Sequence, residues 1–270
     1  MQELQGSFGF LGFGNMGGAI AAGLLAQHTL KAAQLCAYDT APARMAEAEK
    51  AGIQCAPSPA VLFDNCDTLI LAVKPQMLEE ALAPVNNALP SEIRVISIMA
   101  GISIAALETH FGSNTRILRV MPNTPALVGK GAAAIACNAA CAEEDATVGR
   151  TIFESVGIVE MTPEAYMDAV TALSGSGPAY FFYLVECLVA AAVAEGLPED
   201  TAQRLAAQTM LGAGELLITS GKRPDALREQ VTSKGGTTFA ALESLRKADF
   251  AATVRNAYHA AAERSRELGK

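Results

Sequence analysis

The chain has 270 residues, 51% of them hydrophobic, and a formal net charge of −8. That length allows two domains of ordinary size or one large one, with apolar residues enough for a large core. An acidic chain without a long basic run excludes a nucleic-acid partner.

Ser7 to Leu11 reads as a short buried strand, Gly12-Phe13-Gly14-Asn15-Met16-Gly17 follows at once, and Ala19 to Gln27 reads as a helix. Strand, G-x-G-x-x-G and helix in this order is the context a dinucleotide fingerprint requires. Gly12 permits the tight turn, Gly14 lets the backbone approach a pyrophosphate, and Gly17 allows helix to pack on strand. The helix start then offers N–H donors to phosphates. A second strand, Gln34 to Tyr38, ends at Asp39. That acid lies roughly 20 residues beyond the glycines, where a carboxylate holds the adenosine ribose and repels a 2′-phosphate, favouring NAD. Arg44 stands close by with the opposite charge, and Asp39 equally suits a turn or helix cap.

Pro42 to Ala51 reads as a helix, Gly52 to Ala56 as a strand, and Ser58-Pro59 as a helix start. Thr68 to Val73 is a fully apolar strand, of the kind covered on both faces, stopped by Lys74-Pro75. The pattern then predicts a helix over Gln76 to Ala88, a strand over Arg94 to Met99 ended by Ala100-Gly101, and a helix over Ile104 to Phe111. Strands at Arg116 to Val120, Ala132 to Cys137 and Gly157 to Glu160 surround a helix at Glu143 to Ser155. Alternating strand and helix predicts a Rossmann-like, doubly wound, mostly parallel sheet over residues 1–162. In a parallel sheet the turns Gly12–Gly17, Ala72–Pro75 and Ala100–Gly101 share one edge.

From Pro163 onward only helical patterns occur, which defines an all-helical domain over 163–270. Glu164 to Leu173 reads as one helix, interrupted by Ser174 to Pro178. Ala179 to Glu195 is apolar almost all round apart from Glu186, so it must be buried on more than one side. A second copy of the chain suits that need, and a homodimer through this domain is expected. The stretch reads as too short for a membrane span. Helices are further expected over Glu199–Thr219, Pro224–Val231, Thr238–Arg246 and Phe250–Leu268. The six cysteines form no C-x-x-C pair, and His28, His110 and His259 lie far from Cys137 and Cys141. No metal site is expected, and the cysteines read as small buried residues in a reducing compartment. The N-terminus lacks the basic region of a signal peptide, and a cytoplasmic location is expected.

The chemistry narrows at Val231 to Thr238, whose sequence is VTSKGGTT. Two glycines before a helix start suit a carboxylate. The alternative is a plain helix entry with Thr237 or Thr238 as N-cap. No lysine occurs between Lys130 and Lys222, so the base that a β-hydroxyacid dehydrogenase places after its own glycine-rich turn is missing. A protonated imine needs no such base, only orientation and a grip on its anionic tail.

Phe10–Gly17, Leu71–Pro75, Arg119–Pro125, Leu173–Tyr180 and Val231–Thr238 together resemble the Δ1-pyrroline-5-carboxylate reductases, over essentially the whole chain. The resemblance implies hydride transfer from NADPH or NADH to the C=N bond of pyrroline-5-carboxylate, giving L-proline. It implies that Ser233, Gly235, Gly236 and Thr237 hold the substrate carboxylate and that Thr238, the catalytic residue, meets the ring nitrogen. Glu164 is implied to lie near the substrate of the dimer partner. The fingerprint and the resemblance together give as expected cofactor residues Leu11, Gly12, Phe13, Gly14, Asn15, Met16, Gly17, Asp39, Ala72, Val73, Lys74, Pro75, Met99, Ala100 and Asn123. Interlocked dimers assembled into decamers are also implied. Asp39 departs from the small polar residue often found there in NADPH-preferring relatives.

Overall fold

The computed structural model describes residues 3–85 and 93–269. It divides into two compact units, Met1–Ser176 with Ala261–Lys270, and Gly177–Ala260. The expected division at 162/163 is not where the compact units part, and the last residues of the chain belong to the first unit.

The first unit holds an eight-stranded sheet: β1 (Phe8–Leu11), β2 (Leu35–Tyr38), β3 (Gln54–Cys55), β4 (Thr68–Leu71), β5 (Arg94–Ser97), β6 (Arg116–Met121), β7 (Gly131–Cys137) and β8 (Gly157–Met161). Their order is β3-β2-β1-β4-β5-β6-β7-β8. The first six are parallel in the Rossmann order, β7 is antiparallel to β6, and β8 is parallel to β7. Chain direction from β1 diverges to β2 on one side and β4 on the other, which opens a crevice at their C-terminal ends. β1, β4 and β5 are wholly buried, as strands covered on both faces are, and this burial takes in Thr68, Arg94 and Ser97.

The helices are α1 (Asn15–Ala26), α2 (Pro42–Lys50), α3 (Pro59–Asp64), α4 (Leu78–Leu82), α5 (Ile104–Phe111), α6 (Glu143–Glu154), α7 (Met167–Val170), α8 (Gly177–Ala194), α9 (Glu199–Ser220), α10 (Pro224–Gln230), α11 (Thr237–Lys247) and α12 (Phe250–Leu268). Local chemistry explains several boundaries. Ser58 accepts from Val61 N–H, with Pro59 at the first helical position. Ser103 accepts from Ala106 N–H, and Gly112, at φ +86°, ends α5. Ala142 N–H donates to Asp145 Oδ2 at 2.8 Å to start α6.

Two helix predictions are corrected. The helix expected from Gln76 is broken into a 3₁₀ turn at Pro75–Met77, α4, and a second 3₁₀ turn at Ala83–Val85. Its expected end, at residues 86–88, lies outside the described residues. The break expected at Ser174–Pro178 is instead absorbed by a π turn over Thr171–Gly175, with Ser176 N–H donating to Thr171 O at 2.8 Å. Thr171 and Ser174 hydroxyls donate to carbonyls four residues back, and Gly175 lies against the Met121 side chain where a Cβ has no room. Helical structure therefore runs from Glu164 to Ala194, 31 residues long and apolar enough to cross a membrane by length and composition. The expectation that this stretch is too short fails for that reason.

Within the single chain, α8 leaves Phe181, Phe182 and Tyr183 59–67% exposed, and α9 leaves Ile218 84% exposed. α8 packs on α9 within the second unit. The cysteine expectation is also corrected: Cys66 is buried, Cys36, Cys137 and Cys141 are half-buried, and Cys55 and Cys187 are exposed, all as free thiols. No cluster able to hold a metal occurs among the described residues.

At the opposite edge from the crevice, Asp67 Oδ2 accepts from Ser7 N–H at 2.9 Å and from the Ser7 hydroxyl at 2.8 Å, tying the start of β1 to that of β4. The Ser7 N–H, then its hydroxyl, hold the Asp67 carboxyl below its ordinary pKa, against a smaller opposing effect of burial. A depressed folded-state pKa gives stabilisation that is complete above the unfolded value and fades as pH falls through the folded one. Asp67→Asn should therefore flatten the loss of stability below roughly pH 4. Urea unfolding of both proteins across the acid range measures this, and parallel pH profiles would remove the assigned role.

Candidate active site

Three turns gather at the crevice because β1, β4 and β5 are parallel neighbours. Gly12, at φ +95°, faces the turn after β4 so closely that a Cβ would sit 2.7 Å from the Ala72 carbonyl carbon and 2.8 Å from Val73 N. Leu11 O accepts from Ala72 N–H at 2.8 Å, fastening the two turns. A Cβ on Gly17 would meet Gly12 O at 2.8 Å, so the helix start lies directly on the turn. At Gly14 an added Cβ meets nothing within 4 Å. That glycine borders open space, as a position kept clear for a ligand must.

The donors divide in the same way. Gly12 N–H goes to Tyr38 O at 2.8 Å, and Phe13 N–H to Asp39 Oδ2 at 2.7 Å. Asn15, Met16 and Gly17 open α1, and Gly18 is the first residue to bond back, to Gly14 O. Among the described residues no acceptor pairs the N–H groups of Asn15, Met16 and Gly17. Three free donors at the positive end of a twelve-residue helix form an anion site with no charged side chain required.

Asp39 is more committed than its spacing suggests. Its Oδ1 also accepts from Ala41 N–H at 2.9 Å, so both oxygens brace backbone. The cap position of α2 falls to Ala41. Arg44 Nη2 donates to Asn15 Oδ1 at 2.7 Å and Nη1 to Glu47 at 2.8 Å, which holds a guanidinium across the rim of the glycine turn. A cavity of about 350 Å³ lies here, lined by Phe13, Gly14, Asn15, Arg44, Glu47 and Leu127 among others. Its size suits part of a nucleotide. The donor set, the cleared Gly14 and the cavity all fit a dinucleotide.

The remaining cofactor candidates differ in character. Met99 is buried below the turn after β5, Ala72, Val73, Pro75 and Ala100 are half-buried, and Lys74 is exposed. Asn123, after β6, donates from Nδ2 to Ser174 O at 3.0 Å and accepts at Oδ1 from Ala132 N–H at 2.8 Å. Its side chain is spent on holding the loop.

Glu164 also lies in the first unit. Its Oε1 accepts from Ile104 N–H at 2.7 Å and pairs with Arg119 Nη1 at 3.0 Å. Arg119, almost wholly buried in β6, reaches Asp168 as well, at 4.0 Å. Asp168 in turn accepts from the Ser265 hydroxyl at 2.6 Å. Arg119 was not singled out as a functional residue from sequence. The available signal was a cation inside the apolar strand Ile117-Leu118-Arg119-Val120, a placement that demands partners.

The Ser233–Thr238 turn belongs to the second unit. Gly236 N–H bonds Ser233 O at 3.0 Å, and Gly235 takes φ +75° at the third turn position, the pattern of a type II turn. α11 starts at Thr237 with Gly236 as its cap and no side-chain cap bond. The alternative with Thr237 or Thr238 as N-cap is thus corrected. A glycine there leaves both hydroxyls free to turn elsewhere. Among the described residues neither hydroxyl has a partner, and Ala240 is the first residue of the helix to bond back, to Gly236 O. The N–H groups of Thr237, Thr238 and Phe239 are open at a helix start of eleven residues.

A parallel sheet with a free-donor glycine turn, followed by a helical unit with its own open helix start, defines a dinucleotide-dependent oxidoreductase. Residues 164–268 match the family model for pyrroline-5-carboxylate reductase dimerisation, and residues 7–101 that for NADP oxidoreductase, coenzyme F420-dependent. The chain is 40% identical to a pyrroline-5-carboxylate reductase of Methanosarcina acetivorans over 97% of either chain. It is 35% identical to that of Escherichia coli over 99% of this chain and 100% of the relative. The crystal structure of Plasmodium falciparum pyrroline carboxylate reductase with NADP bound superposes with a TM-score of 0.89 at 34% identity, covering 99% of this chain and 100% of that one. The chain belongs to the pyrroline-5-carboxylate reductase family. Its activity is an NAD(P)-dependent oxidoreduction in proline biosynthesis, and its helical part is a dimerisation domain.

Proposed function

We propose that the turn Ser233–Thr238 holds the carboxylate of Δ1-pyrroline-5-carboxylate and that Thr238 orients its ring nitrogen, residues 1–162 supplying the cofactor site and 163–270 the substrate and dimer contacts. The observation that carries the reading is the open start of α11, with its unpaired N–H groups and two uncommitted hydroxyls behind a Gly235-Gly236 turn. When bound, the reduced nicotinamide supplies hydride to the C=N carbon. The carboxylate accepts from the helix-start N–H groups and the Ser233 hydroxyl, anchoring the ring by the end remote from the reacting bond. The protonated ring nitrogen donates to Thr238 Oγ1, and the amine formed keeps that bond. Glu164 has one oxygen, Oε2, without a partner among the described residues, and it is the oxygen available to a substrate group.

On the cofactor side, the free N–H groups of Asn15, Met16 and Gly17 serve the pyrophosphate. Leu11, Phe13, Val73, Lys74, Pro75, Met99, Ala100 and Asn123 shape the remainder through backbone and packing. Asp39 fixes Phe13 and places a negative charge where a 2′-phosphate would lie, whereas Arg44 places a positive one nearby. Asp39 has the deeper attachment to the turn, so NADH is expected to give a kcat/KM at least equal to that of NADPH. A strong NADPH preference would overturn this use of Asp39. The exposed apolar faces of α8 and α9 are read as covered by a second copy of the chain, not by lipid. The family resemblance supports dimers assembled to a decamer in the cytoplasm.

Following loss of reduced cofactor on addition of pyrroline-5-carboxylate tests the reading, with L-proline identified as product. Thr238→Ala is expected to lower kcat by about 10²-fold, in the range of removing one oriented polar group, while leaving the dissociation constant of the cofactor unchanged. Equal losses in both would move Thr238 out of the substrate site.

A further inference from the structure

Side chains at alternate positions, Arg119, Met121 and Asn123, dock the end of β6 and the loop after it on the helical stretch that follows β8. Arg119 takes Glu164 and Asp168, Met121 lies against Gly175, and Asn123 Nδ2 donates to Ser174 O at 3.0 Å. The last bond meets a specific need. At α-helical spacing the donor to Ser174 O would be the N–H of residue 178, and Pro178 has none. The Asn123 amide takes the place of that donor. Its oxygen accepts from Ala132 N–H of β7 at 2.8 Å, so the two partners fix which way the amide faces. One half-buried side chain thus ties the β6–β7 loop to β7 on one side and to the π turn on the other, all within the first unit.

The loop stands on the crevice edge. Leu11, Leu71, Ser97 and Arg119 are in register across β1, β4, β5 and β6, so the chain after Met121 leaves the sheet at the same edge as the turns after β1, β4 and β5. Asp39 follows β2, on the other side of β1, where the adenosine belongs. A dinucleotide laid across the crevice then has its nicotinamide half toward β4, β5 and β6.

Given the cofactor site proposed above, on which this rests, we propose that Asn123 is a positioning residue for the reduction: its bond to Ser174 O holds the β6–β7 loop where it walls the nicotinamide half of the cofactor. Without that bond the loop samples other positions. A ligand that needs one of them binds in proportion to the time the loop spends there. The adenosine and pyrophosphate, held at the glycine turn, are indifferent to it.

Two ligands separate the halves: NADH, and ADP-ribose, which lacks the nicotinamide. Two variants separate the bonds. Asn123→Asp, studied well above the carboxylate pKa range, keeps an oxygen for Ala132 N–H but has no proton for Ser174 O. Asn123→Ala loses both bonds and adds no charge. Calorimetric titration of the full-length protein should show the Kd of NADH raised about 10-fold in both variants, with that of ADP-ribose within about 2-fold of the parent. Thermal unfolding should show the lower Tm in Asn123→Ala, where Ala132 N–H has also lost its acceptor. Equal weakening of both ligands would reduce Asn123 to a structural residue and overturn the proposal. So would an Asn123→Asp protein with the parent affinity for NADH. A parent protein that bound neither ligand would instead remove the cofactor site itself, and the proposal with it.

Discussion

Gly12→Ala is expected to abolish measurable cofactor binding and to destabilise the protein, whereas Gly14→Ala, two residues on, is expected to weaken binding without loss of stability. At Gly12 the backbone has φ +95°, and the new methyl would press on the carbonyl carbon, oxygen and following nitrogen of Ala72–Val73, all within 2.8 Å. None of these is a side chain that can swing aside. Relief requires the ends of β1 and β4 to part, which breaks the Leu11–Ala72 hydrogen bond and the crevice with it. Backbone strain and overpacking together come to roughly 2–5 kcal/mol. Gly14 has φ −71° and empty space around its missing side chain, so the fold tolerates a methyl there. Its cost falls on the ligand that occupies that space. Thermal unfolding and a fluorescence titration with NADPH separate the two variants. A Gly12→Ala protein with the parent Tm and cofactor affinity would show that the β1 and β4 turns are not in fact wedged together.

Arg119→Ala should be strongly destabilising. The guanidinium is 7% exposed and balances Glu164 at 3.0 Å and Asp168 at 4.0 Å. Its loss leaves two carboxylates in a partly buried site with no counter-charge, a situation worth about 3–5 kcal/mol. The damage spreads along hydrogen bonds: Glu164 also caps α5 through Ile104 N–H, and Asp168 receives the Ser265 hydroxyl. Glu164→Gln retains an oxygen for both donors and should cost only about 1–2 kcal/mol. Urea unfolding curves give both values from the midpoint shift at constant slope. If the two variants proved equally stable, the arginine would be a bystander to the network.

How far the sequence revealed all this depends on whether the signal was local. The glycine turn, Ser58-Pro59 and the Ile104–Phe111 helix were legible because each is specified by neighbours in the chain. The antiparallel placement of β7 was not assigned, although a local sign existed: nine residues separate Met121 from Gly131, and a parallel return needs a crossover of a dozen or more. The π turn sets Gly175 against the Met121 side chain, a contact no periodicity contains. The alternative of a threonine cap for α11 stayed open in the sequence because threonine is a good cap by propensity, yet the type II turn delivers Gly236 to that position first. Spacing put Asp39 at the end of the second strand, but its bonds to Phe13 and Ala41 could be seen only once β1 and β2 were side by side.

The final residues of the chain rejoin the first unit. Ser265 bonds Asp168, and Leu268 lies against Gly101, on the turn that follows β5, so closely that Gly101 has no room for a Cβ. A ribosome delivers the glycine turn well before these residues. Domains that are contiguous in sequence can fold as they emerge, but here the nucleotide-binding unit is interrupted by Gly177–Ala260 and resumes after it. Its β5 turn gains its final support only after the whole dimerisation segment has been made. The packing of the β5 turn thus depends on residues that lie beyond the dimerisation helices in sequence.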